Sequence, residues 1–147
     1  MLKKINHIAV AVNDVEATAR LFREVLGLSG GGIEVIEPFE VKVAFFTIGD
    51  IKIELVEPLN PEGGIAKFLA RRGEGVHHIA IEVDDVTAAL AHYKAKGVRL
   101  ITERPEPGAH DTLVAFLHPK STGGVLFELC QPAPGGRFPL DKPPSEE

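Results

Sequence analysis

Two histidines and two glutamates stand at matching places in a duplicated sequence. Together they could hold a divalent metal ion. His7 opens the run His7-Ile8-Ala9-Val10-Ala11-Val12-Asn13-Asp14-Val15-Glu16-Ala17. His78 opens His78-Ile79-Ala80-Ile81-Glu82-Val83-Asp84-Asp85-Val86-Thr87-Ala88, an offset of 71 residues from His7 to His78. Glu54 lies in Ile51-Lys52-Ile53-Glu54-Leu55-Val56-Glu57-Pro58. Glu128 lies in Val125-Leu126-Phe127-Glu128-Leu129-Cys130-Gln131-Pro132, an offset of 74 residues from Glu54 to Glu128. Two imidazoles and two carboxylates suit zinc, cobalt, nickel, manganese or iron. Four protein donors also leave coordination positions open for a substrate.

These residues must be positioned by strands. Val43-Ala44-Phe45-Phe46 and Val114-Ala115-Phe116-Leu117 match at the first offset, so three blocks recur in one order. Each copy begins with an alternating strand, about Ile5 to Val12 or His77 to Val83. Asp14 or Asp85 then stands where a helix N-cap is needed. The following helix stops at Gly27 or Gly97, where a left-handed backbone suits glycine. Three more strands follow, around 33–38, 41–48 and 51–57 in the first copy and 99–103, 112–118 and 124–131 in the second. The fold class expected is α+β: two tandem βαβββ modules forming a curved mixed sheet around a metal cleft. The modules span 1–60 and 76–132. A linker with a short helix through Ile65-Ala66-Lys67-Phe68-Leu69 occupies 61–75, a loose tail occupies 133–147, and the whole makes one compact domain.

Strand alternation says which side chains share a face. Ile8, Val10 and Val12 oppose His7, Ala9 and Ala11. Ile79, Ile81 and Val83 oppose His78, Ala80 and Glu82. Ile51, Ile53 and Leu55 oppose Lys52 and Glu54, and Val125, Phe127 and Leu129 oppose Leu126, Glu128 and Cys130. The bulky faces pack on helices. The other faces carry one His and one Glu per copy, and each His is followed on its face by a small alanine. Lys52 beside Glu54 offers that carboxylate a plain salt bridge as the alternative to a metal.

Composition narrows the functions. With 44% hydrophobic and 25% charged residues in 147, the chain can bury a real core. A net charge of −5 without a basic block argues against nucleic-acid binding, which needs a dense cationic surface. The single cysteine, Cys130, excludes an internal disulfide and suits a reducing cytoplasm. Met1-Leu2-Lys3-Lys4 runs straight into a strand rather than an apolar leader, and no run is long enough for a bilayer.

The duplicated pattern, from about Lys4 to Pro132, resembles the vicinal oxygen chelate superfamily, which includes glyoxalases and extradiol dioxygenases. Within it, Asn6-His7-Ile8-Ala9, Ile53-Glu54-Leu55-Val56-Glu57-Pro58-Leu59 and Val76-His77-His78-Ile79-Ala80 look like segments of methylmalonyl-CoA epimerases. The most distinctive such segment is His118-Pro119-Lys120-Ser121-Thr122-Gly123-Gly124-Val125-Leu126-Phe127-Glu128-Leu129. The resemblance implies metal ligands at His7, His78 and Glu128, with a fourth at Glu54, where some family members have glutamine. It also implies a homodimer, an acyl-CoA substrate and a divalent cation, with Co2+ ahead of Zn2+, Mn2+ or Ni2+.

The implied reaction removes the proton at C2 of methylmalonyl-CoA, α to a thioester, and returns it on the other face. That requires charge stabilisation of an enolate and an acid–base pair. The resemblance suggests Glu128 as one member of the pair. Glu40 is a guess for the other, set against a solvated charge at a strand end. Lys120 is a candidate for a CoA phosphate, with an ordinary charged turn residue as its rival. His118 could close its turn or meet substrate. His77 points away from the ligand face and reads as structural, His92 reads as solvated, and His110 is open to either role. Gly30-Gly31-Gly32 suggests a mobile segment. Rival functions are a glyoxalase I (lactoylglutathione lyase)-type isomerase, an extradiol dioxygenase and a metal-free small-molecule binding module.

Overall fold

A computed structural model describes residues 1–133; the tail expected over 133–147 falls outside them except for Ala133. Among the described residues, eight strands of mixed direction and three α-helices give an α+β fold. They are β1 (Leu2–Ala11), α1 (Val15–Glu24), β2 (Ser29–Ile36), β3 (Val41–Ile48), β4 (Ile51–Pro58), α2 (Gly64–Arg72), β5 (Gly75–Val83), α3 (Val86–Ala95), β6 (Glu106–Pro107), β7 (Thr112–Leu117) and β8 (Phe127–Pro132). No helix among the described residues is long and apolar enough to cross a membrane.

The chain divides into two compact units, and the division falls on the repeat. One unit is His7–His77. The other joins Met1–Asn6 to the described residues from His78 onward. Each unit therefore keeps the lead-in to the other repeat's histidine. In the second unit the Asp84 N–H donates to the Met1 carbonyl at 3.4 Å, and Lys4 Nζ lies 4.0 Å from Glu82. In the first, the repeat-equivalent Asn13 N–H donates to Glu74 Oε2 at 2.9 Å.

In the first unit the strand order is β2-β3-β4-β1, with β1 parallel to β4 and the other pairs antiparallel. In the second it is β6-β7-β8-β5, with β5 parallel to β8. A parallel pair needs a crossover, which the helix and the intervening strands supply. The helix face of the first unit buries Val12, Val15, Ala19, Ala44, Phe46 and Leu55. That of the second buries Val83, Val86, Ala89, Leu90, Ala115, Leu117 and Leu129. Six pairs of these positions are repeat-equivalent: 12/83, 15/86, 19/90, 44/115, 46/117 and 55/129. Volume is exchanged rather than lost between copies. Phe46 packs with the small Ala19, where the second copy has Leu117 and Leu90.

Both helix starts are as expected. Asp14 Oδ1 accepts from the Ala17 N–H and Asp85 Oδ1 from the Ala88 N–H, each at 3.0 Å. The glycines that stop these helices have φ of 77° at Gly27 and 86° at Gly97. A second cap, missed by the sequence reading, reaches each helix from its last strand. Glu57 Oε1 accepts from the Val15 N–H at 3.0 Å, and Gln131 Oε1 from the Val86 N–H at 2.9 Å. The signal was present, since Glu57 and Gln131 are repeat-equivalent polar residues beside Pro58 and Pro132.

Some strand boundaries differ from expectation. The strand expected at 99–103 reduces to a single bridge between Leu100 and Leu117, and pairing resumes only at Glu106–Pro107. Arg104-Pro105 and Pro107 limit the backbone donors there. β8 begins at Phe127 rather than 124, because Gly123 and Gly124 adopt positive φ in the turn before it. β2 starts earlier, at Ser29, because Gly30-Gly31-Gly32 forms a bulge inside the strand instead of a loop. Arg23 Nη1 donates to the Gly31 carbonyl at 3.1 Å, and a Cβ on Gly31 would lie 2.7 Å from the Phe46 ring. The glycine run is thus a packed element of β2.

Candidate functional site

The face opposite each helix carries the histidine and the glutamate of that copy. In the first unit, β1 and β4 run side by side with His7 opposite Lys52 and Ala9 opposite Glu54. His7 Nε2 lies 3.6 Å from Glu54 Oε2, and both side chains are nearly buried. In the second unit His78 Nε2 lies 3.1 Å from Glu128 Oε2, again with both side chains nearly buried. Each pair joins the first and last strands of its copy. Alternation alone located these residues on the correct face, and the parallel strand pairing brings each His to its Glu.

The donor sets fit a metal ion. Two donors each bound at about 2.1 Å to one cation lie roughly 3.0–3.4 Å apart for right-angle to tetrahedral geometry. The distances in the two pairs sit close to that range. Imidazole and carboxylate are also the donor types that first-row divalent cations prefer.

An apolar floor adjoins each pair. In the first unit Ala9, Val43 and Val56 are buried beside Phe45, the cross-strand partner of Glu54. In the second, Ala80, Val114 and Cys130 are buried beside Phe116, the cross-strand partner of Glu128. The Phe116 ring meets the His78 ring edge-on, with centroids 6.3 Å apart. Gly108 packs against this floor so closely that a Cβ would clash with Thr112 Oγ1 and fall 2.6 Å from Val114 Cγ1.

The remaining candidates have plainer positions. Glu40 ends the short 3-10 turn Glu37–Phe39 with φ of 51°, and its Oε2 accepts from Asn60 Nδ2 at 2.6 Å. It ties two loops together, which agrees with its reading as a charge at a strand end. The alternating positions Val41, Val43 and Phe45 of β3 put no carboxylate on the face of Glu54. His118 caps the 3-10 turn Pro119–Ser121, where its Nδ1 accepts from the Lys120 N–H at 3.1 Å. Partial burial, then the nearby Arg99 and Lys120 charges, hold its pKa below the ordinary 6.5. His77 meets the Phe68 ring edge-on at 5.0 Å, a packing contact with α2. His92 lies against Tyr93 on the exposed side of α3. His110 and Asp111 both adopt φ of 58° in the turn before β7. Among the described residues, Asp14, Glu16 and Glu57 form a second acidic group, but Lys42 stands within it, 2.8 Å from Glu16 and 3.7 Å from Glu57. The Lys42 hydrogen bond pulls the Glu16 pKa down, and Glu16 raises that of Lys42.

Comparison with known proteins identifies the family. Residues 6–116 match the profile of the Glyoxalase/Bleomycin resistance protein/Dioxygenase superfamily. The chain is 41% identical over 131 residues to the human mitochondrial methylmalonyl-CoA epimerase, covering 88% of this chain and 74% of that protein. It is 41% identical over 133 residues to the ethylmalonyl-CoA/methylmalonyl-CoA epimerase of Cereibacter sphaeroides, covering 89% and 99%. A solved methylmalonyl-CoA epimerase in complex with methylmalonyl-CoA and NH4+ superimposes with a TM-score of 0.84 at 36% identity, covering 94% of this chain and all of that one. The chain belongs to the glyoxalase/bleomycin resistance protein/dioxygenase superfamily and, within it, to the family of the methylmalonyl-CoA epimerases.

Proposed function

We propose that this protein epimerises methylmalonyl-CoA at C2, using a divalent metal held by His7, Glu54, His78 and Glu128. The observation that carries the reading is the pair of nearly buried His–Glu contacts at repeat-equivalent positions in a chain of the epimerase family. Co2+ is the cation we favour, from the family resemblance and the nitrogen–oxygen donor set. A homodimer and a cytoplasmic setting belong to the same reading.

When bound, the cation supplies Lewis acidity toward the oxygen on which enolate charge develops. Glu128 is the residue we assign to the C2 proton. Its carboxylate lies beside His78 and is sheltered from solvent, which limits competing proton exchange with bulk water. Phe116 and Val114 give the substrate's methyl group an apolar wall next to that carboxylate. The proton on the opposite face comes from a donor outside the β3 face, since Val41, Val43 and Phe45 cannot supply one. Lys120, in the turn before β8, is our candidate for a CoA phosphate contact.

The test is deuterium uptake at C2 of methylmalonyl-CoA in D2O, with cobalt-loaded protein against a chelated control. Metal-dependent uptake far above the control is expected. Absence of uptake with metal bound would remove the substrate assignment and bring glyoxalase-type chemistry forward.

A further inference from the structure

Beside its ligand glutamate the first site face carries a cation that the second lacks. Lys52 is only 6% exposed. Its Cα is opposite His7 on β1 and Thr47 on β3, and Glu54 follows two residues later on the same face of β4. The repeat-equivalent residue is Leu126, two residues before Glu128. The first copy thus sets Lys52 beside its carboxylate where the second sets an apolar side chain. Lysine is almost never buried to this degree without an anion to offset it.

We propose that Lys52 is a positioning residue that offsets the Glu54 carboxylate, so that Glu54 can serve the metal without adding net negative charge to the site. This rests on the metal reading above. The consequence is chemical. Two uncompensated carboxylates would hold a cation more tightly but weaken its pull on a developing enolate. With Lys52 in place, the first copy contributes a neutral set and only Glu128 contributes net charge.

A double-substitution cycle tests this with two readouts. Co2+ affinity is measured by competition with a chelating dye for the unaltered protein, Lys52→Met, Glu54→Gln and the double variant. Melting temperature is measured for the same four in chelator, without metal. Lys52→Met should tighten Co2+ by roughly tenfold, and Glu54→Gln should weaken it by roughly tenfold or more. In the Glu54→Gln background Lys52→Met should change Co2+ affinity by less than about threefold, because the carboxylate through which Lys52 acts is gone. In the metal-free melts each single variant should be destabilised and the double variant should recover, because Glu54→Gln strands a buried ammonium that Lys52→Met removes. Lys52→Arg should keep the unaltered affinity. Affinity factors that simply multiply in the double variant, or melting shifts that simply add, overturn the proposal. Coupled melts in a protein that takes up no Co2+ would leave the pair standing and sink the metal reading instead.

Discussion

The two copies share their helix-side cores and differ on the faces opposite the helices. Val12, Val15, Ala44, Phe46 and Leu55 have counterparts at Val83, Val86, Ala115, Leu117 and Leu129, all buried. The helix starts are capped alike, by Asp14 with Glu57 and by Asp85 with Gln131. Away from the helices the chemistry separates. The first copy has Lys52 and a longer His7–Glu54 contact. The second has Leu126 and a shorter His78–Glu128 contact. Packing constrains both copies equally, because each must cover one helix. The faces opposite the helices are free to diverge toward different roles, which on the proposed reading are proton transfer for Glu128 and a charge-balanced ligand for Glu54.

The sharpest way to break that comparison is to treat the glutamates alike. Glu128→Gln should lower C2 exchange by on the order of 10³ while cobalt still binds. Glu54→Gln should weaken cobalt binding instead and, once saturated with metal, retain more exchange than Glu128→Gln. Exchange rates at saturating cobalt decide it, and equal losses would mean the copies are not specialised. His78→Ala should abolish cobalt uptake and turnover together, read by metal content after gel filtration. Full activity of His78→Ala after dialysis against chelator would end the metal mechanism.

The cores should respond symmetrically. Leu55→Ala and Leu129→Ala remove equivalent, fully buried side chains, and each should cost about 2–5 kcal/mol in urea unfolding. A large inequality would show that one copy carries most of the stability.

The duplicated His-Ile-Ala strands, the Asp14 and Asp85 caps and the ligand faces were legible because each follows from a period of two or from a turn rule. What was not legible depended on partners distant in sequence. Glu57 and Gln131 look like strand-end polars until the helix start forty or more residues earlier is seen against them. The glycine run at 30–32 suggested mobility, since composition cannot show the Arg23 and Phe46 contacts that make it a bulge. The strand expected at 99–103 failed because alternation at Val98 and Leu100 reflects packing on α3, not ladder pairing. Lys52 was noticed only as a salt-bridge rival, because burial of a lysine cannot be read from its neighbours along one strand.

The distal caps give a smaller effect. Gln131→Ala should cost about 1 kcal/mol by orphaning the Val86 N–H. Glu57→Ala should cost somewhat more, since Glu57 also faces Lys42 and places an anion at the start of α1. Adding salt should narrow that gap. If the gap persists at high salt, the Lys42 contact does not contribute to it.

The smallest effect belongs to His118, which has no charged counterpart in the first copy, where offset places Thr47. Its folded pKa lies below the unfolded 6.5, so the unfolded chain takes up the proton first as pH falls. Its contribution is therefore complete above about 6.5 and declines as pH drops from there toward the folded pKa. The cause is local, because a proton on Nδ1 would displace the hydrogen bond accepted from Lys120 N–H and sit near Arg99 and Lys120. His118→Asn keeps an acceptor for that N–H but does not titrate. Its urea midpoint should match the unaltered protein near neutral pH and fall less steeply below it. Parallel profiles for the two proteins would mean that this turn tolerates a protonated imidazole.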